Sequence, residues 1–313
     1  MRRTHIYNRA LMPLFENLVL RTLPYVPRPI LWRVAKRYVA GERLDDAIKT
    51  LVELRERQHS GIIDVLGEEV ESEAQARMVL EEYKLAADAV VKAHVDAYVS
   101  VKPTHVGLRT SEALCLELYH ELAAYCAVRK LFLRVEMEDH TTTDATLRVF
   151  EALRRDFANV GIVLQSRLKR TLGDIAKLAP GSLNVRLVKG IYLEPAEIAH
   201  VDPEPIRAAY VDCVRALLAR NASISLATHD ERMAAQCLAL IAEHAAQKPA
   251  YELQVLMGVM EHLWARWKHA GHPVRVYVPF GPQWQPYSLR RLRKNPQMLR
   301  HVIRAALGLS RFS

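Results

Sequence analysis

Lys102, Glu136, Gln165, Lys189 and the pair Thr228-His229 share a position: each stands directly after a short apolar or β-branched run. Glu138 and Asp139 follow Glu136 closely, while Arg186 and Tyr277 lie inside two such runs. Cations, carboxylates, an amide and an imidazole gathered at strand ends are equipped to bind an anion, hold a cofactor or carry protons. Alone, each is weak evidence, because a lysine or glutamate at a strand end is more often a solvated loop residue than a catalyst. By the same standard His229 reads as a satisfied structural histidine and Gln165 as a cap on neighbouring backbone. Their recurrence across successive runs makes them candidates.

A second signal is the segment Tyr287-Ser288-Leu289-Arg290-Arg291-Leu292-Arg293-Lys294. Adjacent arginines on a helix project about 100° apart, so Arg290 and Arg291 reach one small anion only from two directions. Planar guanidinium groups suit a carboxylate, to which they donate paired hydrogen bonds. The competing reading is a solvated basic helix.

The elements that must carry these groups alternate. Apolar runs stand at residues 62–66, 97–101, 131–135, 160–164, 184–188, 223–227, 251–254 and 274–278, and between them lie segments of helical period such as 74–93, 112–128, 144–156, 205–219 and 230–246. Strands divided by helices require parallel pairing through right-handed crossovers. About eight such units in roughly 250 residues predict an α/β fold, a (βα)8 TIM-type barrel with some distortion, in which site groups collect at the C-terminal ends of the strands. An open doubly wound sheet is the structural alternative, but no GxGxxG follows a strand. Residues 1–60 read as an N-terminal helical arm, with Leu44 to Glu56 amphipathic, and 61–313 as the barrel domain with C-terminal helices at 286–293 and 298–309.

Composition sets bounds on partners. The 313 residues are 50% hydrophobic and 25% charged, as expected of a soluble globular chain. No apolar run reaches the roughly 20 residues of a membrane span, and the start lacks a signal-peptide pattern. The expected location is the cytoplasm, with peripheral contact at the inner face of the membrane open. The net charge of +9 favours an acidic partner. Nucleic acid would call for a contiguous patch with interleaved aromatics, whereas the arginines are dispersed along helices between polar and apolar residues, which argues against it. Cys115, Cys126, Cys213 and Cys237 show no CxxC spacing and read as buried free thiols, so no metal site is expected.

The strings that hold these candidates also resemble, in order and spacing, the monofunctional bacterial proline dehydrogenases. The resemblance runs through Val99-Ser100-Val101-Lys102-Pro103-Thr104, Leu133-Arg134-Val135-Glu136-Met137-Glu138-Asp139, Gly161-Ile162-Val163-Leu164-Gln165-Ser166 and Val185-Arg186-Leu187-Val188-Lys189-Gly190-Ile191-Tyr192. It continues in Ala227-Thr228-His229-Asp230, Tyr251-Glu252-Leu253-Gln254, Tyr277-Val278-Pro279-Phe280-Gly281 and Arg290-Arg291, and so covers about Gly61 to Asn295. It implies an FAD enzyme that oxidises L-proline to Δ1-pyrroline-5-carboxylate by hydride transfer to flavin N5 and passes electrons to a quinone-type acceptor, with a pyrroline-5-carboxylate dehydrogenase downstream. Lys102, Arg290 and Arg291 would bind the substrate carboxylate, and Leu256, Tyr277 and Tyr287 would shape the pocket, with Glu136 beside them. Gln165 would contact the flavin ring, Arg186 would lie near N5, and Lys189, Gly190, Thr228 and His229 would hold other parts of the cofactor.

Three positions depart from the family pattern: Glu136 stands where aspartate is usual, Lys294 where glutamate is usual, and Ile191 where one branch has alanine. A dehydrogenase for hydroxyproline or another cyclic amino acid, or a non-catalytic barrel acting as a binding protein, are the alternatives. Tyr277 favours proline, because it fills the side of the pocket that a ring hydroxyl would need.

Overall fold

A computed structural model describes residues 28–244 and 250–294. The basic segment before residue 28 and the expected helix at 298–309 lie outside the described residues. The described chain runs α1 (Arg28–Ala35), α2 (Leu44–Glu56), β1 (Ser60–Val65), α3 (Glu73–Lys92), β2 (Ala97–Val101), a 3-10 turn (Pro103–Val106), α4 (Glu112–Val128), β3 (Leu133–Val135), α5 (Thr143–Asp156) and β4 (Val160–Gln165). It continues α6 (Thr171–Lys177), β5 (Asn184–Val188), α7 (Pro203–Ala219), β6 (Ser223–Ala227), α8 (Glu231–Glu243), β7 (Tyr251–Leu256), α9 (Glu261–His269), β8 (Val274–Phe280) and α10 (Trp284–Lys294). The eight strands pair in sequence order into a closed barrel, so the open-sheet alternative is excluded. Every pairing is parallel, and β1 meets β8 with Ile62 opposite Tyr277 and Asp64 opposite Pro279.

The helices begin where local chemistry provides for their unpaired amides. The side chains of Ser72, Ser111 and Asp230 accept from the backbone N–H of Gln75, Leu114 and Met233, three residues on. Strand periodicity then divides the side chains. Outward-facing Ile63, Val99, Leu133, Ile162, Val185, Leu226, Leu253 and Val276 are buried under the helices and form the main core. The four cysteines are buried and free, in α4, α7 and α8.

Inside the barrel the composition inverts. Such interiors are ordinarily layered with branched aliphatic residues, yet here Tyr98, Ser100, Arg134, Arg186, Ser225 and Gln254 are all buried and polar. Bonds across the barrel join them: Gln254 on β7 donates to the Tyr98 hydroxyl on β2 at 2.7 Å, and Arg186 on β5 donates to the same oxygen at 3.3 Å.

The expected distortion has a definite form. α2 precedes the first strand, yet it packs against β8 and β1 and closes the helical ring there. Gly61 makes room for it, since a Cβ at that position would come 2.1 Å from Leu51 Cδ2. α10, which follows β8, packs instead on α1, where Trp284 meets Trp32 edge-on with ring centroids 4.8 Å apart. Among the described residues no helix is long and apolar enough to cross a membrane.

Candidate active site

A cavity of about 620 Å³ opens at the C-terminal end of the strands. Lys102, Glu136, Gln165, Arg186, Lys189, Gly190, Thr228, His229, Leu256, Tyr277 and Tyr287 all line it. The two remaining candidates, Arg290 and Arg291, fall on α10, the helix that brings Tyr287 to the cavity. Their side chains, like that of Lys294, lie outside the described residues.

Glu136 is the hub of one side. Its Oε1 accepts from Ser100 Oγ at 2.5 Å, from Arg186 Nη1 at 2.5 Å and from the Tyr277 hydroxyl at 3.2 Å. Arg186 therefore meets the carboxylate end-on and keeps Nη2 for Ser100 and Tyr98. Burial by itself would raise the Glu136 carboxyl, but Arg186 and Lys102 outweigh it and hold the group below its ordinary value. The extra methylene relative to aspartate is thus accommodated by three donors converging on one oxygen.

Lys102 has a partner that sequence reading passed over. Its Nζ lies 3.2 and 3.3 Å from the two oxygens of Asp64, which is fully buried on β1. Burial pushes the Asp64 carboxyl up to about 6, although Lys102 pulls against this. Burial likewise disfavours the Lys102 ammonium, but Asp64, Glu68, Glu136 and Glu138 hold it above the ordinary lysine value. The signal for Asp64 was a lone carboxylate in an otherwise apolar run, Ile62-Ile63-Asp64-Val65-Leu66.

The β4–β6 side is a polar cradle. Lys189 Nζ bonds Asp230 at 2.6 Å, and Arg207 Nε bonds the same oxygen at 2.6 Å. Burial opposes that charge, yet the two cations and the helix amide of Met233 hold the Asp230 carboxyl down at about 2. Gln165 Nε2 donates to the Glu138 carbonyl at 2.9 Å, and His229 Nε2 accepts from the Leu256 N–H at 3.1 Å. Both side chains therefore cap backbone and line the cavity at once. Ile191, at the rim, is 57% exposed.

Gly190 sits in this cradle with φ +102°, and a Cβ there would come 2.6 Å from Gln165 Oε1. Gly190→Ala is expected to impose a backbone penalty of about 1–3 kcal/mol and to displace the Gln165 amide from the cavity wall. Thermal unfolding together with the stoichiometry of any bound chromophore tests this; unchanged values for both would refute it.

Glu138 carries a pH-dependent cost. It accepts from the Thr104 N–H at 2.9 Å and from Thr104 Oγ1 at 2.7 Å, but burial outweighs these bonds and pushes its carboxyl up to about 7 from 4.5. Between those values the folded state binds more protons than the unfolded one, so this contribution is complete below pH 4.5 and is lost as pH rises through 7. Glu138→Gln keeps an acceptor for Thr104 without the charge. Its stability relative to the parent is expected to rise with pH across that window by up to about 3 kcal/mol. Denaturant unfolding over the same range checks this, and a difference that does not vary with pH would count against it.

Comparison with known proteins identifies relatives of the chain. A family model described as proline dehydrogenase matches residues 47–303. The proline dehydrogenase of Deinococcus radiodurans is 33% identical over 307 residues, covering 96% of this chain and 98% of that one. Proline dehydrogenase 1 of Bacillus subtilis is 31% identical over 273 residues, covering 87% and 90% respectively. Among solved structures, proline utilization A from Bdellovibrio bacteriovorus, inactivated by N-propargylglycine, superposes with a TM-score of 0.78 at 23% identity. That likeness concerns the barrel alone, for it covers 83% of this chain and 32% of the longer one.

Proposed function

The chain belongs to the proline dehydrogenase family, an oxidoreductase family of proline catabolism, and on that premise we propose that it oxidises L-proline to Δ1-pyrroline-5-carboxylate with FAD. The observation that carries the reading is the division of one cavity wall. Lys102, Glu136 and Tyr277 stand on the β2, β3 and β8 side, the cradle of Lys189, Gly190 and Thr228 stands on the β5 and β6 side, and apolar Val163, Val188 and Val255 lie between. A small substrate bearing a carboxylate fits the first region and a planar ring the apolar middle.

The residues present fit the cofactor. Arg186 Nε is buried in the wall without a hydrogen-bond partner, and Gly190 lets Gln165 pack against the cavity wall where any side chain would press on it. Arg186 would face the ring near N5, Gln165 its edge, and Lys189, Gly190, Thr228 and His229 the remainder. When bound, flavin supplies the hydride acceptor at N5 and the route for electrons to a quinone-type acceptor. The protein's share is placement: Lys102, with Arg290 and Arg291, would grip the carboxylate, while Tyr277, Tyr287 and Leu256 bound the pyrrolidine ring. A dehydrogenase for pyrroline-5-carboxylate would take the product.

The purified protein is expected to show flavin absorbance that L-proline bleaches without NAD(P)+. A colourless protein that FAD cannot reconstitute would overturn the reading. Arg290→Met and Arg291→Met are expected to raise the proline KM far more than they deplete flavin. Leu193, 88% exposed and two residues along the chain from the cavity-lining Ile191, supports an apolar acceptor. Leu193→Lys is expected to slow quinone reduction several-fold while leaving reduction of a soluble dye unchanged; equal slowing of both removes that role.

A further inference from the structure

Tyr98 projects from β2 into the barrel below the cavity, where it is 6% exposed. Three guanidinium groups surround it. The Arg134 and Arg275 carbons lie 5.6 and 4.9 Å from its ring centroid, and Arg186 Nη2 lies 3.3 Å from its hydroxyl oxygen. The other recorded bond to that oxygen comes from Gln254 Nε2, at 2.7 Å. Both partners are donors, so the phenol proton faces no acceptor among them.

The carboxylates around it are shared unevenly among the cations. Arg186 has Glu136, while Arg275 has Glu252 at 2.9 Å and the exposed carboxylate of Asp96 at 3.1 Å. Arg134 is 1% exposed, and it bonds the carbonyls of Ile162 and Asn184 and the Asn184 side chain, while the Glu252 carboxylate reaches it only through space. A buried cation without an anion is costly. Gln254 Nε2 donates both to the Tyr98 hydroxyl and to Glu252 Oε1, at 2.5 Å, and so stands as a donor between the two oxygens.

We propose that Tyr98 is a positioning residue that works as a phenolate: it supplies the anion that Arg134 lacks and anchors Arg186 from below while Glu136 holds it from the side. The titratable groups facing it are Arg134 and Glu136 from the β3 segment, Arg186 from β5, Glu252 from β7 and Arg275 from β8. Burial and Glu252 oppose its ionisation, but Arg186 and Arg134 prevail and hold the phenol below its ordinary value. The ionisation is independent of the reaction; its effect on Arg186 as a wall of the flavin pocket rests on the function proposed above.

Near-ultraviolet difference titration of the flavin-loaded full chain tests the ionisation. One tyrosine is expected to ionise below the ordinary value of about 10, to vanish in Tyr98→Phe, and to move upward in Arg134→Met. A wild-type titration with no such group overturns the proposal even if Tyr98→Phe fails to fold, as does a low-titrating group that persists in Tyr98→Phe. Arg186 would be less neutralised in Tyr98→Phe, so the flavin reduction potential is expected to become more positive with little change in proline KM. An unchanged potential, with the low ionisation still confined to Tyr98, would refute the positioning role.

Discussion

Arg186→Met is expected to destabilise the protein by about 3–5 kcal/mol, the cost of leaving a buried carboxylate without its cation, and to slow turnover by about 10²–10³-fold. Arg186 is 3% exposed, and its Nη1 provides the main cationic contact of Glu136. Without it, burial would drive the Glu136 carboxyl upward toward protonation. Glu136 now stabilises the fold at pH above its unfolded value of 4.5, and that contribution is lost as pH falls through its lowered folded value. The double variant Arg186→Met with Glu136→Gln removes the stranded charge and is expected to recover most of the stability but none of the turnover. Denaturant unfolding and single-turnover flavin reduction separate the two effects. A double variant as unstable as the single one would show that the ion pair is not the cause.

Lys102→Met is expected to raise the proline KM by about 10–100-fold, corresponding to the loss of one charge-assisted hydrogen bond worth about 1.5–3 kcal/mol. The fold is expected to survive this change, because Asp64, already pushed up to about 6 against the pull of Lys102, takes up a proton once that cation is gone and leaves no buried charge unpaired. Asp64→Asn tests the same pair from the other side. It deprives Lys102 of its fixed partner 3.2 Å away, so the ammonium is free to swing and carboxylate binding weakens without loss of flavin. The two substitutions share one interaction, so their effects on KM are expected to be less than additive. A Lys102→Met enzyme with unaltered KM and depressed kcat would remove Lys102 from substrate binding.

The strands at Ala97–Val101, Asn184–Val188 and Ser223–Ala227 coincide with the runs that mark them in the sequence. They are buried on their outer faces and divided by helices, which makes their periodicity unambiguous. The candidate site was legible for a related reason: a barrel confines function to one end, so polar residues after apolar runs converge whatever their separation along the chain. Asp64, Tyr98 and Gln254 were given no role because they lie within strands, where only the resemblance gave Arg186 and Tyr277 theirs. A polar residue in a strand ordinarily marks a solvent face, and only closure of the sheet turns that face into an interior. Nor does periodicity tell where α2 and α10 dock, because Leu51 recognises Gly61 through shape and not through spacing.

The position of α2 has a consequence for how the chain is made. This helix leaves the ribosome well before β8, one of the two strands it must cover and the last strand of the barrel to be made. Contacts between residues so distant in sequence form slowly. The helix can settle on β1 at once, and β1 then waits with one edge unpaired until the final strand arrives, a state prone to aggregation. Slow translation of the distal segment would therefore lower the yield of this protein, and moving α2 to follow β8 by circular permutation would shorten the vulnerable interval.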